Sequence, residues 1–158
     1  MFTANTITSL GTAAQSAVLI ESTIYVYGGE GDNGPISNLY TLDVSLPWET
    51  SSPPWYDRTS DAGTFTVPQV KSHAMWPSLD SNFFYIWGGS NEGEDSTKQA
   101  QNGFAQYNVV TRNWSLPSAI ANMPQQRSDL TVAWNSSGFA HIWGGWSTIL
   151  SGSRFMNF

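Results

Sequence analysis

Residues 23–35 read TIYVYGGEGDNGP, an alternating strand that runs into Gly29-x-Gly31-x-x-Gly34. Glycines at that spacing could wrap a dinucleotide pyrophosphate, provided a helix follows whose N-terminal N–H groups face the phosphates. Here Pro35, Ile36, Ser37 and Asn38 lead instead into LYTLDV at 39–44, an alternating run rich in strand formers. Glu30 and Asp32 inside the loop would also repel a phosphate. The other reactive groups are sparse. His73 and His141 are the two imidazoles, and a His pair with no third ligand nearby is a poor zinc or copper signal. Glu92, Glu94 and Asp95 in SNEGEDSTK could offer hard oxygens to calcium, but a solvated loop is the simpler reading. No nucleophile-elbow motif accompanies a Ser/His/Asp set. With no cysteine, disulfides, thiolate metal sites and cysteine nucleophiles are excluded, and the redox compartment stays undecided. No cofactor or metal is expected, and the chain by itself is not read as an enzyme.

The glycine pair has another meaning, because it recurs. YIWGG stands at 85–89 and HIWGG at 141–145, so the pairs Gly28-Gly29, Gly88-Gly89 and Gly144-Gly145 fall 60 and 56 residues apart. Periods near fifty indicate a repeat architecture. Tyr27, Trp87 and Trp143 immediately precede the pairs; Val26, Ile86 and Ile142 stand one further back, then Tyr25, Tyr85 and His141. Such a pair reads as a strand end where only glycine allows the turn or the close approach of a neighbouring chain.

Before each pair, a second extended run lies across a short polar turn: SAVLI (16–20), HAMW (73–76) and LTVAW (130–134). After the pair a variable polar loop leads to a third strand, LYTLDV (39–44) or FAQYNV (104–109), with Asp43 and Asn108 at matching places. A tryptophan follows: Trp48 and Trp55 are both candidates in the first copy, and Trp114 is the one in the second. The unit is a four-stranded antiparallel sheet, as in one blade of a propeller.

At these residues the sequence resembles the kelch family, and NLYTLDVSLPWETSSPPW (38–55) is similar to fungal kelch proteins called galactose-oxidase-like propellers. The resemblance runs from about residue 15 to 158. It implies an all-β fold, a propeller fragment within 1–158: blade one at about 13–60, blade two at about 68–118 and part of a third at about 127–158. The first copy departs from the pattern in its two tryptophans, and the third stops at FMNF before its own. Kelch propellers include a copper-radical oxidase whose site needs a Tyr cross-linked to Cys, which these residues cannot supply. The implied role is therefore a non-catalytic scaffold binding a protein or glycan through loops 30–37, 90–102 and 146–153. The alternative is part of an oxidase-like enzyme whose catalytic residues lie in further blades.

Composition agrees with a β-rich stack: 14% aromatic residues, 14 Gly and 8 Pro, with only 11% charged residues. The net charge of −6, with six scattered Lys and Arg, argues against nucleic acid or an anionic membrane as partner. No run reaches the ~20 apolar residues of a spanning helix, and the first twenty residues lack a signal peptide's basic region. Possible N-glycosylation acceptors stand at Asn113 and Asn135, with Trp114 expected to bury the first. Together with the fungal resemblance they favour a secreted or cell-surface setting over a cytoplasmic one. A propeller needs ~4–8 blades to close, so the open faces are expected to require further blades or self-association.

Overall fold

The computed structural model describes residues 12–91, 104–118 and 124–147, and they form an all-β protein. In chain order the elements are β1 (Ser16–Ile20), β2 (Thr23–Tyr27), β3 (Glu30–Gly31), β4 (Gly34–Pro35), β5 (Leu39–Asp43) and β6 (Trp55–Asp57). A 3₁₀ turn (Thr59–Ala62) comes next. Then follow β7 (Ala74–Pro77), β8 (Phe83–Trp87), β9 (Phe104–Asn108), β10 (Asn113–Ser115), β11 (Ser128–Trp134) and β12 (Ala140–Trp146). The first repeat is an antiparallel sheet in the order β1-β2-β5-β6, the second repeats that order as β7-β8-β9-β10, and β11-β12 is a hairpin. The loop that mimics a dinucleotide site is itself a small hairpin, β3 paired with β4. Among the described residues no helix presents its N-terminus there.

Period-two alternation decides which residues face which neighbour. Tyr27, Val18, Ile20 and Leu39 of the first sheet meet Met75, Phe84, Ile86, Ala105 and Tyr107 of the second in one buried cluster. The alternate residues of the second sheet, Ala74, Trp76 and Trp87, pack with Leu130, Val132 and Ile142 of the hairpin. The middle sheet is therefore buried on both faces, and aromatic contacts fill the first gap: Tyr27 lies 4.9 Å from Trp114, and Phe84 stacks on Tyr107 at 5.1 Å.

Ladder register resolves the tryptophan ambiguity. Trp55 stands opposite Leu42, one residue before Asp43, as Trp114 stands opposite Tyr107, one before Asn108. Trp48 lies outside the strands, in the longer connection between β5 and β6, and is partly exposed. The matching Asp43 and Asn108 perform one local task. Each carboxyl or amide oxygen accepts from the backbone two residues on, from Ser45 N–H at 2.8 Å and Val110 N–H at 2.9 Å, and so ends its strand in an Asx turn.

The glycine pairs act where sheets join. Gly28 and Gly88 have φ of +65° and +70°. A Cβ on Gly28 would sit 2.5 Å from the Val70 carbonyl oxygen, and one on Gly88 even closer to that of Arg127. Beside them, Gly29 N–H donates to Val70 O at 2.9 Å and Gly89 N–H to Arg127 O at 2.8 Å. Strands β2 and β8 end before their pairs, whereas β12 runs through Gly144-Gly145 to Trp146, still laddered to β11. The expectation of three strands ending alike at Gly28, Gly88 and Gly144 is corrected to that extent. The first two pairs turn onto the backbone of a following repeat; among the described residues the third meets none.

Candidate functional site

The register that buries Tyr27 and Leu39 also carries polar residues outward along the same face. Thr23 stands opposite Asp43, Tyr25 opposite Thr41, and Thr41 opposite Tyr56, so all five share the face turned toward the second sheet. At the end of the sheets away from the glycine pairs, this face opens into a cleft of about 190 Å³. Arg58, Tyr107, Val109 and Arg112 complete its walls. The cleft is the wet end of the gap whose dry end is the core.

Several contacts hold the walls. Tyr107 donates its hydroxyl to Asp61 of the 3₁₀ turn at 2.6 Å, and its ring lies 6.2 Å from that of Tyr25. The Arg58 guanidinium lies 5.9 Å from the Tyr56 ring centroid, within cation–π range. Burial pushes the Tyr25 phenol up, with Arg58 and Arg112 opposing it. Burial, then the hydrogen bond to Asp61, raises Tyr107 further. Both phenols are therefore protonated donors at neutral pH. Asp43 is held low by its hydrogen bonds from Ser45, first the side chain and then the backbone, so it stays a carboxylate. Two guanidiniums, three phenol rings, two threonine hydroxyls and a carboxylate give a small site rich in hydrogen-bonding groups and aromatic faces. Its volume suits one ring-sized group rather than the ~300–1,000 Å³ of a drug-sized pocket.

The histidines part company. His73 is buried against Tyr27, the rings edge-on at 5.5 Å, and neither ring nitrogen has a hydrogen-bond partner among the described residues. Burial lowers its pKa to about 3. His141, expected to pack like the tyrosines whose slot it takes, is exposed, because among the described residues nothing covers that face of the hairpin. No group of three His, Asp or Glu side chains is close enough to hold a metal ion among the described residues. Glu92, Glu94 and Asp95 lie outside them, as do most of loop 90–102 and the FMNF segment. Glu30 pairs with Lys71 at 2.7 Å, tying the β3 hairpin to the segment that leads into the second sheet.

Both glycosylation acceptors are exposed. The expectation that Trp114 buries Asn113 fails, since neighbours on a strand point to opposite faces: Trp114 enters the core and Asn113 faces solvent. Asn135 closes the β11–β12 turn, accepting from Ser137 N–H at 3.0 Å and Phe139 N–H at 3.1 Å.

No helix among the described residues is long and apolar enough to cross a membrane. No family model matches the chain, and no curated protein does. Among solved structures the fold is similar to that reported as the structure of YjhT, with a TM-score of 0.51 at 15% sequence identity. The match covers 77% of this chain and 41% of that one, so the chain spans about two fifths of the length of its structural neighbour. At that identity the likeness is one of fold alone: an all-β stack of antiparallel four-stranded sheets.

Proposed function

We propose that this chain is part of a kelch-type β-propeller and acts as a non-catalytic scaffold that binds a polyhydroxylated ligand, a glycan, in the cleft between its first two sheets. The observation that carries the reading is the composition of that cleft. Arg58 and Arg112, two of only six cations in the chain, converge with Tyr25, Tyr56, Thr23, Thr41 and Asp43 on a single ring-sized space. Aromatic faces take the apolar side of a sugar, and the surrounding donors and carboxylate take its hydroxyls. The protonated phenols and the turn-bound carboxylate favour holding a ligand over bond-making, since none is poised to exchange a proton near neutral pH.

The reading differs from the loop-based expectation in placing the site at the opposite end of the sheets from the glycine pairs. Screening against a panel of neutral and acidic oligosaccharides, followed by titration calorimetry on the tightest, should find a ligand. Arg58→Ala and Tyr56→Ala should each weaken it by about 10-fold or more, a loss of roughly 1.4 kcal/mol. Binding that survives both substitutions, or no oligosaccharide binding at all, would remove the cleft from the function.

A further inference from the structure

The chain makes the same junction twice and carries one side of it a third time. Residues 70–72 lead into the second sheet and 127–129 into the hairpin, and at each junction three features recur. A carbonyl of the lead-in, Val70 or Arg127, fills the space over the first glycine of the preceding pair. A left-handed residue links lead-in to lead-in: Ser72 N–H donates to the Ala14 carbonyl at 2.8 Å, and Asp129 N–H to the Ser72 carbonyl at 3.0 Å. Ala14, Ser72 and Asp129 share φ values of 57°, 54° and 56°. Finally, the aromatic residue before each glycine pair is sealed, with Tyr27 at 0% exposure and Trp87 at 2%.

The hairpin carries its own side of the junction, and among the described residues nothing docks on it. Gly144 keeps φ +75° with nothing among the described residues within 4 Å of where a Cβ would stand. Trp143, in the slot of Tyr27 and Trp87, is 53% exposed, and Trp146 is 74% exposed. Among the described residues the complementary half is open on the first sheet. Residues 12–14 are a lead-in of the same build, ending in the left-handed Ala14. By ladder register Ala17 and Ile24 correspond to Met75 and Phe84. Met75 and Phe84 are buried by the preceding sheet, while Ala17 is exposed and Ile24 half-buried, with Leu19 beside them 55% exposed.

We propose that a second copy of this chain docks head to tail on the hairpin. Residues 12–14 of that copy take the place that 70–72 and 127–129 occupy within the chain, the Thr12 carbonyl over Gly144 and the Ala14 N–H on the Asp129 carbonyl. The contact is heterologous, so a second identical junction closes the pair into a two-fold ring. The described residues of two copies carry four four-stranded sheets and two hairpins, six stacked units, within the ~4–8 over which radial sheet stacks close. The proposal rests on the repeat and is independent of what the cleft binds.

Light scattering on the eluting 158-residue chain should give twice its 17.3 kDa mass. Trp143→Glu, a change at an exposed side chain of the single chain, should weaken dimerisation by at least about 100-fold while the sheet signal in circular dichroism is kept. Orientation is read by cross-linking, for which the absence of native cysteine gives a clean background. Tyr25 and Phe84 touch at 5.4 Å across the first junction, and His141 and Ile24 hold their slots at the proposed one. His141→Cys mixed with Ile24→Cys should give cross-linked dimer with a short bis-maleimide, and neither variant alone should. A monomer at tens of micromolar, a dimer indifferent to Trp143→Glu, or cross-linking of His141→Cys with itself would each overturn the proposal; the last would mean that two hairpins meet face to face.

Discussion

Replacing Gly88 by alanine should lower the stability of the folded chain by about 3 kcal/mol or more. Two costs combine. The backbone there has φ +70°, where an L-residue is strained by roughly 1–2 kcal/mol. The new methyl would also be driven into the Arg127 carbonyl, which cannot retreat without breaking its bond from Gly89 N–H, an overpacking cost of roughly 1–3 kcal/mol. For a chain of this size the loss corresponds to a fall in melting temperature of about 10 °C. Gly144→Ala is the internal control. Its φ is +75°, yet among the described residues its Cβ meets nothing, so in dilute single chains only the strain remains. Urea titrations of the two variants at sub-micromolar concentration should differ by about 2 kcal/mol; equal losses would show that the junction carbonyl yields freely. At concentrations where the chain associates, the gap should narrow, because Gly144 then acquires the neighbour that Gly88 already has.

That pair also shows why part of this fold was legible in the sequence. A junction that demands no Cβ and a left-handed backbone leaves one acceptable residue type, so the requirement is written as glycine three times at a readable spacing. Strand alternation was legible for the same reason, since each side chain has one of two faces. Trp48 and Trp55 could not be separated by spacing, because the connection after Asp43 is longer than its counterpart after Asn108; only hydrogen-bond register aligns Trp55 with Trp114. The exposure of His141 was not legible either. Its slot is aromatic in the other two repeats because another sheet covers it, and that cover comes from outside the local sequence. The cleft was the hardest to see. Thr23, Tyr25, Thr41 and Asp43 alternate like any half-buried strand, and Arg58 and Arg112 join them only because two sheets stack. The sole local sign was a phase of alternation that is apolar at Tyr27 and Leu39 and turns polar two and four residues away.

His73 should make the fold sensitive to acid well before its carboxylates do, and His73→Leu should remove that sensitivity. The imidazole wedges over Gly28 at the first junction, its Cε1 3.0 Å from where a Cβ would be, and Leu130 wedges over Gly88 at the second. The fold has thus already placed leucine in this position once. Burial is what lowers the histidine to about 3. The titratable side chain packed against it is Tyr27, itself pushed up by burial and so neutral, and Ser16 donates its hydroxyl to the His73 carbonyl rather than to the ring. Among the described residues no charge compensates an imidazolium there. In the unfolded chain the group titrates near its ordinary value of about 6.5. Above that pH both states are neutral and the full stability is present. As pH falls from about 6.5 toward 3 the unfolded state takes up a proton that the folded state refuses, and stability declines by about 1.4 kcal/mol per pH unit. At pH 5 the wild-type chain should therefore have lost about 2 kcal/mol that His73→Leu retains. Carboxylates titrate alike in both proteins and cancel in the difference. At pH 7 the variant should be no less stable than wild type, since it also removes two buried ring nitrogens that lack partners. Denaturant midpoints measured every half unit from pH 7.5 to 4.5 decide the matter: parallel curves for the two proteins would mean that the imidazole reaches water or a partner in the folded state, and that the wedge is not dry.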